Sequence, residues 1–406
     1  MFFTETLHWD TFSSLISFTG LYKKDKPFRR YAAGVDRALS TFDTAQQEWA
    51  DYISFLARLL KAIQQHPDGV RIIPHSATIA TRLAQCLNPA LPSGVHQKAL
   101  EVYSYIFETI GSESLSRDLH LYLPGLAPTL TFAALSVRPL YLSLVEKHLL
   151  DLDTRALRPA LKAVILSLLP GLEEETSEDF EKVLQILDHL RQAIREGNWE
   201  DAGQASSTGD SYFWQCLFLA SISSPSRRQG ALAFLVRKLP KLGHTSSPEA
   251  QAVVSPEPGL LLRCFATGLA DKELLIQRGF LDLLVTHLPL DSVILQKQAS
   301  ADDLDRLVTS AAGVVGRRDM SLNRRLWAWF LGPEPKGGTD GADQTEKSSE
   351  EMMSPFLDAS AHHAAYFANY GSKALGRSLL RLLSRRKLPP AEQARPFRLC
   401  LSLIHI

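Results

Sequence analysis

The chain has 406 residues, 45% hydrophobic and 22% charged, a balance that allows a large core and excludes the polar, highly charged makeup of a disordered chain. Lysine plus arginine equals aspartate plus glutamate at 44 each, so no global field draws the protein to nucleic acid or an acidic membrane, and any anion binding must come from a local patch. The four cysteines, Cys86, Cys216, Cys264 and Cys400, are widely spaced in apolar settings, which argues against a disulfide framework or zinc knuckle and for a reducing compartment.

The opening "MFFTETLHWDTFSSLISF" carries Glu5 and Asp10 without a basic leading region, so it does not read as a secretory signal. The first confident helix is "FRRYAAGVDRALSTF", with Phe28, Tyr31, Val35, Leu39 and Phe42 on one face. Asp43 or Thr44 is the expected cap of the next, which presents Trp49, Tyr52, Ile53, Leu56, Leu59, Leu60 and Ile63 and stops at "HPDG". Residues 76–87 present Ile79, Leu83 and Leu87; residues 95–110 present Ala99, Val102, Ile106 and Ile110, with Gly111 as the terminating glycine.

In "TSEDFEKVLQILDHLRQAIREG", Thr176 and Asp179 predict a capping-box-like start, and Phe180, Val183, Leu184, Leu187, Leu190 and Ile194 form the apolar stripe. "YFWQCLFLASI" is apolar on every side, as expected of a helix buried between layers. It and "ALKAVILSLLPGL" are too short to span a bilayer. Residues 197–210, 243–258 and 332–350 are polar or proline-rich and read as loops or linkers.

Alternating strand-like patterns are scarce, so the expected class is all-α. Helix pairs recurring at roughly 35 to 50 residues predict a degenerate solenoid of the ARM/HEAT kind, with an irregular helical bundle as the alternative. The expected organisation is an extension over 1–22, a helical domain over 23–331, a linker over 332–350, and a truncated continuation of the domain over 351–406.

Three apparent chemical motifs dissolve on inspection. "GSKALGRS" at 371–378 has phosphate-loop spacing but puts Arg377 where the lysine belongs, and no strand precedes it. "GDSY" at 209–212 has the look of a hydrolase nucleophile, yet Asp210 or Ser211 serves there as a helix cap. His362 and His363 are neighbours, and adjacent helical residues point about 100° apart, so they do not converge on a metal. No enzyme, cofactor or metal is expected.

Basic clusters are the remaining anomaly. "RRDMSLNRRLWAWFLG" places Arg317, Arg318, Arg324 and Arg325 around one predicted inter-helix turn, with Leu322, Leu326, Trp329 and Phe330 on the buried stripe. Guanidinium forks there suit an anionic lipid, an acidic partner, or intramolecular ion pairs between repeats. Weaker candidates are Lys23, Lys24, Lys26, Arg29 and Arg30 before the first helix, and Arg227 with Arg228 at a later helix start. Nucleic acid is disfavoured because no basic stripe or aromatic platform appears.

Long ordered phrases resemble the N-terminal domain of the Dopey family. They include "YAAGVDRALSTFDTAQQEWADYISFLARLLKAIQ", "QCLNPALPSGVHQKALEVY", "SVRPLYLSLVEKHLL", "LIQRGFLDLLV" and "RRDMSLNRRLWAWFLG", and they run from residue 23 to about 402. Residues 1 to about 22 and the closing Ile404-His405-Ile406 depart from the family pattern, which implies an extension at one end and a truncation at the other. The resemblance implies a cytoplasmic scaffold, without an active site, peripheral on Golgi and endosomal membranes and acting in vesicle traffic. The partners it implies are a large protein related to the Golgi ARF exchange factors, a phospholipid flippase, the kinesin light chain, and membranes bearing phosphatidylinositol 4-phosphate. A phosphoinositide-reading module acting through the basic clusters is the alternative.

Overall fold

A computed structural model describes residues 25–42, 48–196, 209–243, 247–334 and 360–384, with the isolated residue 397. Every regular element among them is helical. The chain divides into two compact units: Met1–Gly171 with Ser177–Ala193, and Leu172–Thr176 with Ile194–Ile406.

Unit 1 contains α1 (Lys26–Ser40), α2 (Trp49–Ile63), α3 (Ser76–Cys86), α4 (Ser93–Leu126), α5 (Thr129–Phe132), α6 (Arg138–Leu144), α7 (Thr154–Leu168) and α8 (Phe180–Glu196) as far as residue 193. Pro27, in the first turn of α1, costs no hydrogen bond, and Phe28, Tyr31, Val35 and Leu39 are buried along one face as expected. The next helix starts at Trp49, where the Asp51 carboxylate accepts from the Glu48 amide at 3.2 Å. The expected caps Asp43 and Thr44 lie outside the described residues.

Gly111, at φ 73°, interrupts α4 and separates residues 93–110 from 112–126. Across that break, Tyr122 packs edge-on against Tyr103 and Phe107, at ring distances of 6.1 and 5.5 Å. Helix α4 packs against α2, α3, α6 and α7.

At α8 the predicted stripe is buried throughout, but the capping box from Thr176 does not form. Thr176 instead donates to Glu174, Ser177 accepts the Asp179 amide, and the Asp179 carboxylate takes Arg138 at 3.4 Å. A long-range ion pair has replaced the local cap, and the helix opens at Phe180.

Unit 2 contains α9 (Gly209–Ser223), α10 (Arg228–Lys238), α11 (Pro248–Val254), α12 (Gly259–Leu269), α13 (Leu274–His287), α14 (Ala301–Gly313), α15 (Met320–Leu331), α16 (residues 360–366, run on by a π turn) and α17 (Ser372–Ser384). Successive packing of α9, α12, α14 and α17 builds one layer, and α10, α13 and α15 build the other. This is a helical-repeat stack. Its apolar helix α9 is largely buried, with Leu219 38% exposed, and Phe213, Trp214 and Phe218 form one ring cluster with Phe234 of α10. Within the proline-rich stretch read as a loop, Ser247 accepts from the Ala250 amide and nucleates α11.

The repeat shows most plainly in polar side chains that tie helices together at sequence separations of 36 to 46 residues. Unit 1 uses Arg138–Asp179, Lys147–Glu108 and Lys182–Glu146. Unit 2 uses Arg228–Asp271, Arg263–Asp303, Arg278–Asp319 and Arg325–Asp282. Among the described residues, no helix is long and apolar enough to cross a membrane.

Candidate functional site

The stretch from Gly316 to Gly332 folds as a turn followed by α15. Asp319 caps that helix by accepting the Leu322 amide at 2.9 Å, so the chain enters α15 with its stripe inward. Leu322, Leu326, Trp329 and Phe330 are buried, and the Trp329 indole donates to the Leu288 carbonyl at 2.9 Å. The tryptophan is a core residue. It offers no stacking platform for bases.

The four arginines separate into two pairs by what they touch. Arg317 crosses to the preceding inter-helix turn and donates to the carbonyls of Asp271 and Lys272 at 3.0 and 2.9 Å. Arg325 reaches Asp282 on α13 at 2.6 Å and also Ser321 on its own helix. Arg318 and Arg324 are exposed and make no side-chain hydrogen bond or ion pair among the described residues. Arg318 also stands at φ 57°, a left-handed conformation uncommon for a residue with a side chain.

The turn 270–273 and the turn 316–319 are therefore neighbours on one edge of unit 2. Their carboxylates are mostly committed: Asp271 pairs with Arg228 and Asp319 with Arg278. The Asp319 carboxyl is held below its ordinary range, first by the Leu322 amide and then by Arg278. Arg317, Arg318, Arg324 and Lys272 remain on the surface without a carboxylate partner among the described residues, against the single exposed Glu273. Beside them stand Leu275 and Met320, exposed to 72% and 81%. Cationic and apolar side chains thus lie together on this edge.

The weaker candidates fall elsewhere. Arg228 is consumed by its buried pair with Asp271, and Arg227 pairs with Glu173 at 3.2 Å. Lys26, Arg29 and Arg30 are exposed on α1 in unit 1, where Lys26 and Arg30 line a groove of ≈450 Å³ with Tyr31 and Gln65. Lys23 and Lys24 lie outside the described residues.

The apparent chemical motifs have structural roles. Ser211 is fully buried in the first turn of α9. The "GSKALGRS" stretch opens α17, and Arg377 binds Asp305 at 3.0 Å. His363 contacts the Leu331 carbonyl at 2.8 Å, while Cys86, Cys216 and Cys264 are buried. Among the described residues no three His, Cys, Asp or Glu side chains are grouped to hold a metal.

Sequence reading missed the aspartates that partner the arginines, and with them the neighbouring turn that brings Lys272 and Leu275 to the site. The available signal was the recurrence of Arg–Asp pairs about one helix pair apart, which becomes visible once the layers are known.

A family model described as "Dopey, N-terminal" matches residues 25–335. The chain is 54% identical to Protein dop1 of Emericella nidulans over 95% of its own length, and 35% identical to Protein DOP1 of Saccharomyces cerevisiae over 89%. It is 34% identical to Protein DOP1B of Mus musculus over 94% of its length. It spans only 22%, 23% and 16% of those three proteins. No solved structure matches it. The family model and these relatives show that the chain belongs to the Dopey family, whose N-terminal domain it carries.

Proposed function

We propose that the chain is a non-enzymatic scaffold in vesicle traffic between Golgi and endosomes, cytoplasmic and peripheral on those membranes, which holds protein partners on its helical stack. Family membership is the observation that carries this reading. Partners in keeping with it are a large relative of the Golgi ARF exchange factors, a phospholipid flippase and the kinesin light chain. The structure supplies a physical reason for a binding role: a stack of helix pairs presents long surfaces at little cost to its core.

The second reading, a module that recognises phosphatidylinositol 4-phosphate membranes, draws on the surface cations Arg317, Arg318, Arg324 and Lys272. At about 1 kcal/mol per basic side chain near an anionic surface, four contribute roughly 4 kcal/mol. That is less than the already marginal hold of one acyl chain, at about 10⁴ M⁻¹. Electrostatics from this edge is therefore too weak to hold the chain on a membrane, and protein partners supply that hold.

The discriminating experiment is flotation of the purified chain with vesicles of neutral lipid or of lipid bearing phosphatidylinositol 4-phosphate, at low and physiological salt. The scaffold reading expects at most weak, salt-sensitive flotation. Firm flotation at physiological salt, lost on replacing the four arginines 317, 318, 324 and 325 by alanine in a folded variant, would make the lipid module the better account.

A further inference from the structure

We propose that the edge formed by the turns 270–273 and 316–319 docks an acidic segment of a partner protein that also carries apolar side chains; the inference rests on the scaffold reading. Charge is the first argument. Asp271, Asp282 and Asp319 are each paired with an arginine, so the cationic surplus at Arg317, Arg318, Arg324 and Lys272 faces outward. Carboxylates are the complementary groups, and guanidinium forks engage them bidentately.

Apolar exposure is the second. Leu275 and Met320 each occupy the first turn of a helix beside these cations, and Met320 shares a helix face with Arg324 four residues on. Methionine and arginine are enriched in protein interfaces, and an apolar side chain seated between charged contacts is the usual anchor.

The third argument favours a protein over a bilayer. Asp282 keeps 53% of its side chain exposed despite its ion pair, and Glu273 is exposed as well. Anionic head groups would be repelled by both. A partner segment can avoid or bond to them individually.

The test uses the purified chain and fluorescein-labelled synthetic peptides read by anisotropy: one interleaving glutamate with leucine, one of glutamate and serine, and one of lysine and leucine. Vesicles of phosphatidylcholine with phosphatidylinositol 4-phosphate form a parallel arm. The glutamate–leucine peptide is expected to bind tightest. Its affinity should fall about tenfold or more in Arg318→Glu/Arg324→Glu. A clear loss is expected in Leu275→Ser/Met320→Ser, and no change in the unit 1 control Lys26→Glu/Arg30→Glu.

Arg318 and Arg324 have no side-chain partner among the described residues, so their replacement should leave the melting temperature unchanged and the loss attributable to the surface. Equal binding by wild type and the Arg318→Glu/Arg324→Glu variant, failure of every peptide, or capture of vesicles in place of peptides would overturn the proposal. The scaffold reading fails separately, if a full-length protein lacking residues 25–335 still supports normal sorting in cells.

Discussion

Single residues in this fold are constrained in different ways, and three of them make the difference measurable. A methyl group on Gly268 would sit 2.2 Å from the Phe280 ring, so α12 and α13 approach as closely as they do only because nothing is there. Gly268→Ala is expected to cost about 1–3 kcal/mol by overpacking, read as a lowered urea midpoint. Asp271 is a charge problem. Burial would raise its carboxyl, but the Glu273 amide and the Arg228 guanidinium outweigh burial and hold it below the ordinary range.

A carboxyl depressed in the native state stabilises fully above its unfolded value of about 3.9, and that stability is lost as pH falls through the lower native value. Asp271→Asn should therefore reduce stability at neutral pH and flatten the acid limb of the stability curve. An acid limb unchanged from wild type would show that the pair does not contribute to it. Cys264 is a reactivity problem: burial pushes its thiol up to about 12, ahead of a smaller opposing effect from Ser221. In a Cys400→Ser background, the native protein should resist a thiol reagent at neutral pH until it unfolds.

At the scale of elements, α4 shows what one backbone position controls. Gly111 has room for a side chain, its nearest neighbour being Arg71 at 3.9 Å, but its φ of 73° disfavours one. Gly111→Ala should cost more than about 1 kcal/mol through the backbone alone, in contrast to the steric cost at Gly268. Differential scanning of the two variants beside Gly111→Asn separates the causes, since at φ 73° and ψ 170°, a region open essentially to glycine alone, asparagine should lose as much as alanine. Comparable losses for alanine and asparagine at 111 support the backbone account; an alanine variant as stable as the wild type would refute it.

Helix identity was legible because it lives in local period: the faces of α1, α3 and α8 follow apolar spacing as read, while on α2 the expected Trp49 is exposed to 58% and Phe55, not expected there, is buried. The start of α8 was misread because Asp179 answers to Arg138, 41 residues away, rather than to Thr176 beside it. The short helix α11 was hidden by prolines, which break helices internally but suit the first position after Ser247. Of the candidate site, the arginines could be named in advance. Their division into Arg317 and Arg325, which reach a neighbouring repeat, and Arg318 and Arg324, which reach nothing described, could not, since it depends on acids about one helix pair away.

At the scale of the whole molecule, the ion-pair ladder in unit 2 links repeat architecture to the proposed docking edge. Each arginine that ties one helix pair to the next fixes the turns of both, and those turns carry the surplus cations and the exposed Leu275 and Met320. On the docking proposal, stability and recognition share an edge while using different side chains, so charge reversal at the unpaired positions should separate them. The most direct test places Arg318→Glu/Arg324→Glu in the full-length protein, in cells without the native copy, and measures sorting of a membrane protein that cycles between Golgi and endosomes. The account predicts missorting at normal protein abundance; normal sorting by the charge-reversed protein would contradict it.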